Sequence, residues 1–121
     1  MQVRGIRGAI TVEENTAEKI ITNTKILLSE IIKQNNIRLE DIVSCTFSVT
    51  RDLDTVYPAV AAREMGWATV PLMCVNEMFV SGSLERVIRV LLLVNTMKSQ
   101  KEVRHVYLKK AKQLRPDLAI E

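Results

Sequence analysis

The sequence predicts an α+β domain in which one long helix covers one face of a mixed sheet of four or five strands. Three observations favour this class. Several short stretches are rich in β-branched residues, one long segment has helical periodicity, and the chain has only 121 residues. A chain of this length suits a single domain over residues 1–121 and can bury enough apolar surface for one core.

The first strand and the long helix have the clearest patterns. Residues 2–12 alternate β-branched residues with arginine and glycine, which predicts a strand whose glycines let a backbone or a ligand approach closely. Asn15 begins a capping-box-like Asn-Thr-Ala-Glu sequence, which predicts a helix start. Isoleucines and leucines then recur at helical spacing through Gln34, so we expect an amphipathic helix that Asn35-Asn36 ends.

Two strands with a short helix between them are expected next. Residues 42–50 and 70–75 are rich in β-branched and apolar residues, which predicts strands two and three. Pro58 is expected near the first turn of the short helix, and Gly66 is expected to end it.

The last part of the chain predicts two more strands. Residues 86–95 are apolar enough to be covered on both faces, and residues 104–108 predict a fifth strand. Since one helix covers only one face of a sheet, the second face must be buried against another subunit, and we expect a closed homo-oligomer. Residues 114–121 are expected to form a mobile C-terminal tail.

Composition argues against nucleic-acid and membrane partners. The net charge of +3 is small, and the one tryptophan, two tyrosines and two phenylalanines form no stacking cluster of the kind RNA platforms use. The longest apolar run, residues 90–94, is far shorter than the ~20 residues of a membrane span. No signal-peptide-like stretch begins the chain, so we expect a cytoplasmic protein.

The cysteines and the histidine do not indicate metal or nucleophilic catalysis. Cys45 and Cys74 lack the paired spacing of a zinc or redox site. His105 is the only histidine, and nothing in its surroundings marks it as a catalytic base. We therefore expect no metal and no cofactor.

Arg89 is the residue that the sequence marks most strongly. It interrupts an apolar strand, and a buried charge is costly unless it is paired. One interpretation is a structural ion pair with Glu77 or Glu85. The other is contact with an anionic ligand or with negative charge that develops on one.

Glu77 and Cys74 are a second candidate pair. Strict strand alternation points residues three apart to opposite faces, so a shared site requires the strand to end or bulge between them, which Asn76 allows. The alternatives are a core cysteine and an exposed loop glutamate.

Three further arginines lie in separate elements: Arg7 in the first strand, Arg63 in the short helix and Arg115 in the tail. Such residues are commonly solvated. If they converge with Arg89, they form a pocket suited to a small dianion, because guanidinium groups bind carboxylates in a bidentate way. Tyr107 could line that pocket or could be an ordinary buried tyrosine.

Seven segments spread along the chain form a recognisable set: Val3-Arg4-Gly5-Ile6-Arg7-Gly8-Ala9, Tyr57-Pro58-Ala59, Ala62-Arg63-Glu64, Cys74 with Asn76-Glu77-Met78, Ile88-Arg89-Val90, Arg104-His105-Val106-Tyr107-Leu108 and Leu114-Arg115-Pro116-Asp117-Leu118. Together they resemble the monofunctional AroH-type chorismate mutases, in the same order and over nearly the whole chain.

The resemblance implies a homotrimer with a barrel-like core of sheets and active sites between subunits. It implies conversion of chorismate to prephenate on the route to phenylalanine and tyrosine. By matching position, Arg89 contacts the ether oxygen, and Glu77 and Cys74 contact the ring hydroxyl. Arg7 and Tyr107 contact the enolpyruvyl carboxylate, and Arg63 and Arg115 form the rim. Tyr57 and Leu114 are further substrate-binding residues.

This chemistry agrees with the lack of a nucleophile or base. A concerted rearrangement forms no covalent intermediate and transfers no proton, so the enzyme has only to hold the reactive conformer and stabilise charge on the ether oxygen. The alternative is a trimeric small-molecule-binding protein of similar fold, as in the reactive-imine deaminase family.

Overall fold

The computed structural model describes residues 1–117, and the expected α+β class is confirmed. The elements in chain order are β1 (Gln2–Thr11), α1 (Ala17–Asn35), a first 3₁₀ helix (Leu39–Asp41), β2 (Ile42–Val49), α2 (Ala59–Glu64), β3 (Leu72–Asn76), β4 (Val87–Thr96), β5 (Val106–Leu108) and a second 3₁₀ helix (Lys109–Gln113). Of the expected tail, residues 118–121 lie outside the described part of the chain.

The five strands form one mixed sheet in the order β3-β2-β4-β1-β5. The long strand β4 lies in the centre and pairs antiparallel with both β1 and β2. The outer strands β5 and β3 pair parallel with β1 and β2, respectively. No helix within residues 1–117 is both long and apolar enough to cross a membrane.

Helix α1 covers one face of the sheet and forms the main core with it. The fully buried side chains of this core include Ile20, Leu27, Leu28 and Ile31 from the helix, and Ile6, Ile10, Phe47, Ile88, Leu92 and Val106 from the strands. Gly8 permits close contact, because a Cβ at this position would lie 2.7 Å from Ile31 Cδ1 and 3.3 Å from the carbonyl oxygen of Val106. The close approach expected from the glycines of β1 is confirmed at Gly8.

The helix start was predicted one residue too early. Thr16 is the N-cap residue, and its hydroxyl accepts the backbone N–H of Lys19 at 3.1 Å. Asn15 instead joins the loop before α2, where its amide donates to Asp54 Oδ1 at 2.7 Å. The predicted end is confirmed, because Asn36 adopts the left-handed conformation, with φ of 52°, that terminates the helix.

The opposite side of the sheet, which we call the open face, carries exposed apolar side chains. Val3, Met73, Val75 and Leu91 are 52%, 62%, 42% and 46% exposed. Within the described residues both α-helices pack on the other side of the sheet, as expected when one face is left for another subunit, and burial of the open face in an oligomer stays a prediction. Isolated exposed apolar residues are common, but a group on one sheet face indicates an interaction surface.

The second 3₁₀ helix was missed because its sequence, Lys-Lys-Ala-Lys-Gln, has no apolar periodicity. It begins at Lys109, whose φ is 54°, and the Lys109 ammonium lies 2.5 Å from both Glu13 Oε2 and Asn23 Oδ1. Ala111 is fully buried beneath the turn. This helix packs on β1 and brings Leu114 against Tyr107 at one end of the open face.

Candidate active site

Strand register sets four residues side by side across the open face. Ala9 pairs with Tyr107 on one side and with Arg89 on the other, and Arg89 in turn pairs with Ser48. The small, buried Ala9 separates the arginine from the tyrosine. Tyr107 is 3% exposed and packs with Val87 and Ala111, as expected of a buried tyrosine.

Arg89 lies beside Glu77, with 3.4 Å between its Nε atom and Glu77 Oε1. The two side chains are 43% and 29% exposed, so Arg89 is less buried than its apolar strand predicts, because the open face is uncovered. An ion pair this exposed contributes little stability. The Nε atom is itself buried and has no hydrogen-bond partner in the described chain, whereas the side chain as a whole is partly exposed on the open face.

The loop from Glu77 to Arg86 is fixed at one end by the last residue of β2 and at the other by the segment that follows β2. Strand β3 ends at Asn76, and the Glu77 backbone N–H donates to the Val49 carbonyl oxygen at 2.8 Å. At the other end, the Asp52 carboxylate accepts the Arg86 N–H at 3.0 and 3.2 Å. The guanidinium of Arg51 lies 3.6 Å from the centre of the Phe79 ring, which adds a cation-π contact.

Ser48 was missed by the sequence analysis. Its hydroxyl donates to Glu77 Oε1 at 2.6 Å. The only signal in the sequence is that polar residues alternate with apolar ones along β2, which places Ser44, Thr46 and Ser48 on the open face.

Arg7 and Arg115 lie near the same imidazole. The Nδ1 atom of His105 accepts the Arg7 backbone N–H at 2.9 Å. Burial and the positive charges of Arg7 and Arg115 lower the pKa of His105. Arg115 also forms a bidentate pair with Asp117, with N–O distances of 3.0 and 3.2 Å, and this pair lowers the pKa of the Asp117 carboxyl group. Two of the four predicted arginines therefore converge near His105, and Arg89 lies on β4, the strand next to that of Arg7.

Cys74 and Tyr57 lie on the other side of the sheet. Cys74 pairs with Phe47 and packs against the core that α1 covers. It lines a groove of about 740 Å³ together with Tyr57, which is 70% exposed, and Pro58. The strand does end before Glu77, but the two side chains belong to opposite faces, so Cys74 and Glu77 do not form a shared site within one chain. The residue that fits the core-cysteine interpretation is Cys45, whose pKa is raised to about 12 by burial and by Cys74.

Arg63 is not brought to the other arginines either. It is exposed on α2, which packs on α1 and β3, and its neighbour Glu64 pairs with Lys25 at 2.8 Å. In the described part of the chain, no group of three or more histidine, cysteine, aspartate or glutamate side chains is placed to hold a metal ion.

The candidate site residues thus form two separate groups, which we call the two half-sites. The first half-site consists of the open-face residues Arg7, Ser48, Glu77, Arg89, Tyr107, Leu114 and Arg115. The second half-site consists of Tyr57, Cys74 and the groove that they line. Guanidinium and phenol groups beside a carboxylate can bind an anionic ligand that also carries a hydroxyl group, without a metal or a nucleophile.

Comparison with known proteins identifies the family. A family model described as chorismate mutase type I matches residues 3–118. Chorismate mutase AroH of Bacillus subtilis is 50% identical, with 99% of this chain and 95% of the relative aligned. Chorismate mutase AroH of Thermus thermophilus is 53% identical, with 96% of each chain aligned.

A solved structure agrees in fold as well as in sequence. A chorismate mutase from Clostridium thermocellum superposes with a TM-score of 0.89 at 51% identity, covering 90% of this chain and 97% of the other. The matched residues 3–118 include the segments that carry both half-sites. The chain therefore belongs to the type I chorismate mutase family.

Proposed function

We propose that this chain converts chorismate to prephenate in active sites that form between neighbouring subunits of a homotrimer. The observation that carries this proposal is the separation of the two half-sites. Arg89 and Glu77 lie on the open face, whereas Cys74 and Tyr57 lie across the sheet. A neighbouring subunit that docks on the open face supplies the second half-site.

The open-face half-site binds the reacting part of the substrate. Arg89 donates to the ether oxygen, on which negative charge grows as the C–O bond lengthens. The partial exposure of its side chain on the open face supports this role. Arg7 and Tyr107 bind the enolpyruvyl carboxylate, and Glu77 accepts a hydrogen bond from the ring hydroxyl.

The second half-site and the rim complete the enclosure. Cys74 of the neighbouring subunit contacts the ring hydroxyl from the opposite side, and Tyr57 packs against the ring. Arg63 of that subunit and Arg115 of the first place positive charge at the entrance, while Leu114 closes the apolar side. Their combined effect is to hold chorismate in its compact reactive conformer.

The rearrangement itself needs no proton transfer. One C–O bond breaks as one C–C bond forms, and electrons move around a six-membered ring. The enzyme contributes orientation and a fixed positive charge, which arginine supplies at every physiological pH.

The apolar open face supports the homotrimer. Leu91 lies in the middle of the central strand, and Val3, Met73 and Val75 extend the apolar surface on both sides. Packing three such faces together buries them in a barrel-like core and removes them from water.

We place the enzyme in the cytoplasm, on the route to phenylalanine and tyrosine. The two free cysteines support a reducing compartment: both lie on the core side of adjacent strands and are not joined in a disulfide.

Chorismate turnover followed by absorbance, together with light scattering, tests the proposal. The expected mass is three times that of the 13.7 kDa monomer. Leu91→Lys should abolish both the trimer and turnover, because it places a charge in the apolar interface. The matched control is Ile26→Lys, since Ile26 is 44% exposed on the outer side of α1 and Leu91 is 46% exposed. A wild-type monomer at micromolar concentration, or no loss of chorismate, would overturn the proposal.

A further inference from the structure

Two adjacent residues of β2 hold Glu77. The Val49 carbonyl oxygen accepts the Glu77 backbone N–H at 2.8 Å, and the Ser48 hydroxyl donates to Glu77 Oε1 at 2.6 Å. A hydroxyl that donates to a carboxylate makes a short, strong hydrogen bond. The backbone of Glu77 is therefore fixed by one contact and its side chain by the other.

Glu77 Oε1 lies between Ser48 and Arg89. Ser48 and Arg89 pair in the register of β2 and β4, and Arg89 Nε is 3.4 Å from the same oxygen. This contact between Nε and Oε1 is not a hydrogen bond, since Nε makes no hydrogen bond within residues 1–117. The hydrogen bond from Ser48, and not one from Arg89, therefore sets the orientation of the carboxylate.

Removal of the Ser48 hydroxyl leaves Oε1 without its donor. Arginine and carboxylate groups that are free to move prefer a bidentate pair. Glu77 would then turn onto Arg89, and this pair would occupy the guanidinium needed for the substrate.

We propose that Ser48 is a positioning residue for the mutase reaction, and that its hydroxyl holds the Glu77 carboxylate beside Arg89 in an orientation that makes no hydrogen bond to it, so that the guanidinium stays free for the ether oxygen. The inference rests on the proposed function, because it assigns Arg89 and Glu77 to substrate. Ser48 acts through Glu77 and does not itself contact chorismate.

Three single variants test the proposal. Ser48→Ala should lower kcat/KM about tenfold, the usual effect of losing one hydrogen bond to a charged group. Ser48→Thr keeps the hydroxyl on a residue that suits a strand and should stay within about threefold of wild type. Ser44→Ala is the matched control on the same strand and face, and it should leave kcat/KM unchanged.

A double-mutant cycle with Glu77→Ala separates positioning from a structural role. Without the carboxylate there is nothing for Ser48 to hold, so adding Ser48→Ala to Glu77→Ala should lower kcat/KM less than about twofold further. Prephenate affinity can be measured by calorimetry on wild type, Ser48→Ala, Glu77→Ala and the double variant. It should show the same non-additivity, and the measurement requires no turnover. Thermal unfolding of Ser48→Ala should match that of Ser44→Ala.

Two results would overturn the proposal. One is a Ser48→Ala enzyme with the kcat/KM of Ser44→Ala. The other is a pair of losses that add in the cycle, since additivity means that Ser48 acts independently of Glu77. A wild-type protein that does not turn over chorismate would instead refute the proposed function, so the two failures are distinguishable.

Discussion

The imidazole Nδ1 of His105 accepts the backbone N–H of Arg7 at 2.9 Å. This bond requires Nδ1 to be unprotonated, and burial together with the charges of Arg7 and Arg115 lowers the pKa of His105. The neutral imidazole thus fixes the strand position of Arg7 beside β5. Under the proposed function, His105 supports the open face without carrying out proton chemistry.

The pH profile of kcat should follow from this arrangement. Because no proton moves in the rearrangement, kcat should be nearly flat between about pH 6 and 8, and His105→Gln should leave that profile unchanged. Steady-state kinetics in normal and heavy water should show no solvent isotope effect on the chemical step. A bell-shaped profile that disappears in His105→Gln would contradict the mechanism.

Arg89→Ala should lower kcat about a hundredfold or more, because it removes the fixed positive charge that the proposed mechanism places beside the ether oxygen. Arg89→Lys should recover little of this, since an ammonium group cannot reproduce the geometry of the guanidinium. Arg38→Ala is the control, because Arg38 also pairs with acidic side chains but lies in the loop before β2. Near-normal turnover in folded Arg89→Ala would reduce Arg89 to a structural ion pair.

Gly8→Ala should destabilise the fold by about 1–3 kcal/mol, the range for overpacking a filled core. An added Cβ would lie 2.7 Å from Ile31 Cδ1 and 3.2 Å from Leu27 Cδ1. Gly5→Ala is the matched control in the same strand, since its Cβ would find only ordinary contacts at 3.6 Å. Denaturant unfolding should separate the two variants, and equal stability would show that α1 moves to make room.

Glu13 should contribute to stability in a pH-dependent way. Hydrogen bonds from Lys109 and Asn23 lower the pKa of Glu13 from 4.5 to about 2. The stability that this contact contributes is present above about pH 4.5 and is lost as the pH falls towards 2.

Removing the Glu13 carboxylate should lower the stability only modestly, because the Glu13–Lys109 ion pair is exposed. Glu13→Gln should lower the free energy of unfolding at pH 7 by about 0.5–1 kcal/mol, after allowance for solvent screening, and the difference should shrink as the pH approaches 2. Glu14→Gln is the neighbouring exposed control. A difference between Glu13→Gln and wild type that stays constant down to pH 2 would mean that the ion pair is not its source.

The sequence carried enough information for the fold and for part of the site. Periodicity predicted α1 and the five strands, and the glycine at position 8 indicated close packing. Ser48 could not be found this way, because a serine on a half-exposed strand is ordinary until the register places it beside Arg89. Whether Cys74 and Glu77 share a face also needed the structure, since alternation places them on opposite faces unless a bulge intervenes, and the sequence allowed one at Asn76.

The division of the site between two sheet faces has a genetic consequence under the proposed trimer. A subunit lacking Arg89 still offers an intact Cys74 groove, and a subunit altered at Tyr57 still offers an intact Arg89. When two such inactive chains are expressed in equal amounts and assemble at random, about a quarter of the active sites regain both halves. Two alleles that each abolish growth without phenylalanine and tyrosine should therefore restore it together, whereas two alleles altered in the same half-site should not.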